Sequence, residues 1–136
     1  MAKNKSAAVF TASMASAVLL SAAAAAGDEK GEWRTYSQEP NGDVHFFDAS
    51  RVKVANNLQR VWSRIRYKTS VMGAASYQSL LEIDCSKQTE QILQNTFFSD
   101  KHWKKPAMMA DKTAKPKRQI AKGSAVERLS RILCDQ

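Results

Sequence analysis

The chain has 136 residues, 21 Lys and Arg against 13 Asp and Glu, a formal net charge of +8, two cysteines and 43% hydrophobic residues. That length suits one small domain with a thin but adequate core, while two cysteines allow a single internal disulfide. The positive balance favours anionic partners: lipid headgroups, sulfated glycans, acidic proteins or nucleic acid.

Lys3 and Lys5, an apolar run over residues 7–20 and small residues over 21–26 read as a secretory signal peptide, cut after Ala26. The run is shorter than the roughly 20 residues that a bilayer crossing needs. No cysteine stands at the cut, so no lipid anchor is expected. Residues 27–136 then form one exported domain without a transmembrane segment, in the periplasm, at the cell surface or secreted. Removal of Lys3 and Lys5 leaves a charge of +6. Export makes nucleic acid the least expected partner.

Residues 27–31 are small and charged and read as a flexible lead-in. Residues 33–37, aromatic and β-branched, predict a first strand, and the turn residues Pro40 and Gly42 lead into a second over 44–47. Residues 51–57 contain a short extended piece ending at Asn56 and Asn57. Residues 58–68 predict the longest strand, with Val61, Ser63, Ile65 and Tyr67 on one face and Arg60, Trp62, Arg64, Arg66 and Lys68 on the other. After a loop over 71–75, residues 76–85 form a strand on which Tyr77, Ser79, Leu81, Ile83 and Cys85 share a face. Residues 88–98 predict a fifth strand, with a helix over 86–94 as the alternative. Residues 99–122, lysine-rich and punctuated by Pro106 and Pro116, form a mobile loop or hide a short extended piece near Trp103.

The final element is a helix that opens on a capping box, Ser124 at N-cap and Glu127 at N3. Ile132, Ala125, Leu129, Leu133 and Val126 form one arc with Cys134 at its edge, and Glu127, Arg128 and Arg131 lie opposite. At about three turns it could not persist alone. Two cysteines in an exported chain pair rather than stay free, so a bond from Cys85 to Cys134 is expected to hold the helix on the sheet. Closing a loop of roughly 50 residues contributes about 4 kcal/mol on the chain-entropy account.

Chemistry has little footing. His45 could share a strand face with Asp43, but two ligands make no metal site, and His102 reads as a loop residue. No Cys-x-x-Cys, phosphate-cradling glycine loop or Gly-x-Ser-x-Gly is present, and no serine or cysteine has an identifiable base. Neither catalysis nor a cofactor is expected. The best binding candidate is the stripe Arg60, Trp62, Arg64, Arg66 and Lys68, whose cations flank an indole and could grip sulfate, phosphate or carboxylate. The lysines of residues 104–122 form a second basic patch.

The order of features resembles the surface-adhesin protein E-like family of bacterial envelope proteins. The matching pieces are Trp33, Phe46-Phe47-Asp48-Ala49-Ser50, Val61-Trp62, Glu82-Ile83-Asp84-Cys85, Trp103, Gly123-Ser124 and the closing Cys134. The resemblance implies an α+β fold: a bent antiparallel β-sheet of five to six strands with a C-terminal α-helix packed on one face and tied by a disulfide. It also implies a non-catalytic envelope protein whose namesake is a dimeric adhesin for matrix proteins such as vitronectin and laminin. Two departures stand out: no cysteine for a lipid anchor, and a long basic segment at 104–122. Expected partners are therefore an acidic protein, a sulfated glycan or an envelope component, with a homodimer as an option. The competing functions are a periplasmic structural or interaction protein and an inhibitor of a periplasmic hydrolase.

Overall fold

The computed structural model describes residues 30–135, so the expected signal peptide at 1–26 lies outside the described residues. Eight strands and one helix follow in order: β1 (Trp33–Gln38), β2 (Val44–Asp48), β3 (Lys53–Ala55), β4 (Leu58–Val71), β5 (Ala74–Asp84), β6 (Thr89–Phe98), β7 (Ala107–Asp111), β8 (Arg118–Gln119) and α1 (Ala125–Cys134). They form one antiparallel sheet in the order β1-β2-β4-β5-β6-β7, with β3 paired on β4 and β8 on β6. The expected five to six strands become eight. β3, of 3 residues, is the short extended piece expected within 51–57; the additions are β7 and β8, of 5 and 2 residues, whose mostly exposed side chains show no apolar alternation and which are recruited by the long strand β6 beside them. β6 is a strand and not the alternative helix. β4 runs on to Val71, which shortens the expected loop to Met72 and Gly73.

Period-two alternation decides which side chains meet the helix. Val61 from β4 and Leu81 and Ile83 from β5 join Tyr36, Phe47, Leu129 and Leu133 in one buried cluster. The register of β1 against β2 shifts between Thr35 and Ser37. The extra residue sends consecutive side chains, Tyr36 and Ser37, to the helix side, and both are buried.

The helix is fastened at both ends. The Ser124 side chain accepts from the Glu127 amide at 3.1 Å, and the Glu127 carboxylate accepts from the Gly123 amide at 3.2 Å, one residue before the expected partner. At the far end Cys134 is bonded to Cys85, with Cα atoms 5.6 Å apart, and the Gln59 side chain donates to the Leu133 carbonyl at 2.6 Å. Burial of Leu129 and Leu133 contributes about 2 kcal/mol each. Two sequence expectations need correction. Arg128 does not stand away from the sheet: its guanidinium donates to the Ser37 hydroxyl at 2.6 and 2.9 Å and pairs with Glu39. That anchor turns the helix so that Ser130 is buried while Ile132 is 40% exposed.

Candidate functional site on the face opposite the helix

The basic stripe lies on the sheet face that the helix leaves open, and its five members divide into three environments. At one end a groove of about 660 Å³ is lined by Trp62, Arg60, Arg51, Lys53, Leu80 and Gln94, together with Ser50 and Val52. The pairing of Lys53 with Arg60, and of Trp62 with Leu80, brings these side chains onto one face. Arg60 donates from Nε to Glu82 Oε2 at 2.7 Å but stays more than half exposed, and Lys53 is exposed.

Arg51 is set in place by Asp48, whose carboxylate is wholly buried. Oδ1 accepts from the Glu32 amide and the Ser50 amide at 3.0 Å and from the Ser50 hydroxyl at 2.6 Å, while Oδ2 accepts from Arg51 Nε. Burial alone would raise the Asp48 pKa, but the bonds from Ser50, Arg51 and the two amides outweigh it and bring it down to about 2. The charge is therefore present across the physiological range and fixes the turn from which Arg51, Val52 and Lys53 project.

Arg64 corrects the stripe. It is only 6% exposed, its guanidinium lying 4.0 Å from the centre of the Trp33 ring and 4.7 Å from that of Trp103, with Nε donating to Gln78 Oε1 at 2.8 Å. Trp103 is held over it by a bond from its indole to the Tyr77 carbonyl at 3.2 Å and by an edge contact with Phe46, ring centres 6.0 Å apart. A delocalised, weakly hydrated guanidinium between two indoles is a packing element, so Arg64 is removed from the set that can meet an incoming anion. Arg66 covers Phe46 at 5.2 Å and is half-buried. Lys68 is exposed at the far end of the strand and its stem lies over Gly42. The structure thus joins Arg60 and Trp62, sets Arg64 and Arg66 into an aromatic stack and leaves Lys68 apart. Arg51 and Lys53 were missed as site residues because Arg51 sits in the turn built by Asp48 and Lys53 opens a three-residue strand whose register no pattern announces.

A second cleft, of about 430 Å³, lies on the other face beneath the first turn of α1 and is lined in part by Tyr36, His45, Ser63, Ile92 and Arg118. The Tyr36 hydroxyl is 3.1 Å from the Ser63 hydroxyl and 3.5 Å from His45 Nδ1. Burial pushes Tyr36 up to about 12 and lowers His45 below its ordinary value, so both rest neutral at pH 7. His45 is therefore a half-buried member of a hydrogen-bonded cluster. Among the described residues no group of three His, Cys, Asp or Glu side chains could hold a metal ion, and no helix is long and apolar enough to cross a membrane.

Residues 33–135 match the family described as Surface-adhesin protein E. No curated protein matches the chain. Among solved structures, Haemophilus influenzae protein E superposes with a TM-score of 0.61 at 12% identity, over 79% of this chain and 87% of that one. Its crystal form II gives 0.59 at 13%, over 83% and 94%, and protein E from a non-typeable Haemophilus influenzae gives 0.59 at 12%, over 80% and 79%. At that identity the likeness is one of fold.

Proposed function

The chain belongs to the surface-adhesin protein E family, and from that premise we propose that it is a non-catalytic, adhesin-like protein of the cell envelope. It grips an anionic partner, an acidic protein or sulfated glycan of the matrix type, in the groove around Trp62. The observation that carries this reading is the gathering of three cationic side chains, Arg51, Lys53 and Arg60, around one half-buried indole in an open groove. Sulfate and carboxylate groups accept charge-assisted bonds from guanidinium and ammonium, and the indole supplies apolar area and stacking beside them. The aromatic stack about Arg64 keeps the neighbouring surface rigid, which lowers the ordering cost of binding.

Immobilised heparin and an acidic matrix protein, probed in parallel with the oxidised domain, test the proposal. Lys53→Glu combined with Trp62→Ala should weaken binding at least about tenfold, and the wild-type affinity should fall as salt rises. Equal binding by wild type and variant would sink it. Protease treatment of intact cells decides the location: an adhesin at the surface is cleaved, a periplasmic protein is spared.

A further inference from the structure

We propose that the end of the sheet formed by the β4–β5 hairpin tip and β7 docks onto an anionic phospholipid bilayer, with methionine side chains entering the headgroup boundary and lysines meeting the phosphates. Val71 pairs with Ala74, so Met72 and Gly73 alone close the hairpin, at φ 51° and 83°. A two-residue turn with both φ positive favours Asn-Gly, and an unbranched apolar residue in the first position is locally disfavoured. Met72 is 98% exposed, so folding of this chain gains nothing from it. A residue that violates the local rule without a packing return marks a site with another purpose.

The tip does not stand alone. Met108 and Met109 on β7, an edge strand, are 51% and 62% exposed, and Val71 is 46% exposed. Met108 Cε lies 3.6 Å from where a side chain on Gly73 would begin, which joins edge and tip into one apolar patch. Its rim is cationic. Lys101 donates to the Lys68 carbonyl at 3.3 Å, placing both at this end. The loop that carries Lys101, Lys104 and Lys105 is pinned by Ser76, which donates to the Asp100 carbonyl at 2.6 Å. The acids nearby are turned to the backbone: Asp100 accepts from the amides of His102, Lys104 and Lys105, and Asp43 from the amide of Lys68. Apolar side chains ringed by lysines complement a surface of apolar chains beneath anionic headgroups. From Trp62 to Met72 along β4 is about 30 Å, so this site and the groove are separate.

Co-sedimentation with vesicles of phosphatidylglycerol in phosphatidylcholine, against pure phosphatidylcholine, tests it. Wild type should bind the anionic vesicles and release at high salt. Met72→Asn suits the turn and should fold at least as well, yet bind about tenfold more weakly. Lys101→Ala with Lys105→Ala should lose about fivefold per lysine on anionic vesicles alone. Lys53→Ala, in the groove, should bind as wild type, so failure of either proposal is seen separately. No binding by wild type, or undiminished binding by both tip variants, would overturn the inference.

Discussion

Replacing Arg64 by alanine removes a cation from between two indoles, and the structure permits its magnitude to be worked. Two desolvated cation–π contacts, at 4.0 and 4.7 Å, are worth about 1 to 2 kcal/mol each, and the charged bond to Gln78 about 1.5 kcal/mol. Release of a buried charge back to water offsets part of that sum. The expected net loss is on the order of 3 kcal/mol, or a fall in Tm of about 12 °C or more for a domain of this size. Arg64→Lys should lose roughly half as much, because an ammonium cannot lie flat against both rings. Arg60→Ala, which leaves the buried Glu82 carboxylate without the half-exposed guanidinium that faces it, should lose about 1 to 3 kcal/mol. Urea unfolding followed by tryptophan fluorescence measures all three, since Trp33 and Trp103 report the stack itself. If Arg64→Ala unfolded within about 1 kcal/mol of wild type with an unchanged slope, the aromatic sandwich would not hold the sheet face, and Arg64 would return to the candidate binding set.

Reducing the bond between Cys85 and Cys134, 49 residues apart, should lower stability by about 4 kcal/mol, read as the shift in urea midpoint with and without dithiothreitol. The folded pKa of Asp48 lies near 2, below its ordinary 3.8, so its contribution is full above about pH 4 and is lost as pH falls towards 2. On the order of 2 kcal/mol should disappear across that window in wild type but not in Asp48→Asn, whose unfolding midpoint should be flatter with acid.

Much of the architecture is legible in the residues themselves. Ser124 and Glu127 announce the helix start, Leu129 and Leu133 its buried side, and the alternation Val61, Ser63, Ile65 the inner face of the longest strand. What alternation cannot tell is what covers the other face. Arg64 lies on the predicted side of β4, but Trp33 and Trp103 reach it from elements distant in sequence. The backbone of Trp103 takes φ 55° in a turn organised by Asp100, which carries no hydrophobic pattern. The groove was half visible for a similar reason: Arg60 and Trp62 sit on a long patterned strand, whereas Arg51 and Lys53 arrive through a turn built by the buried Asp48. Ile132 leaves its expected buried arc and Ser130 is buried, with Arg128 and Cys134 tethering the helix to the sheet, a tertiary constraint that outranks the helical wheel.

The domain carries three tryptophans, Trp62 in the groove and Trp33 and Trp103 about Arg64, and their indole N–H resonances give the most direct test of the binding face. On titrating a heparin oligosaccharide into the isotopically labelled, oxidised domain, the Trp62 signal should move together with the amides of Arg51, Lys53 and Leu80. The Trp33 and Trp103 signals, locked about Arg64, should stay. A stationary Trp62, with shifts instead at Tyr36, Ile92 and Arg118 beneath the helix, would contradict the account.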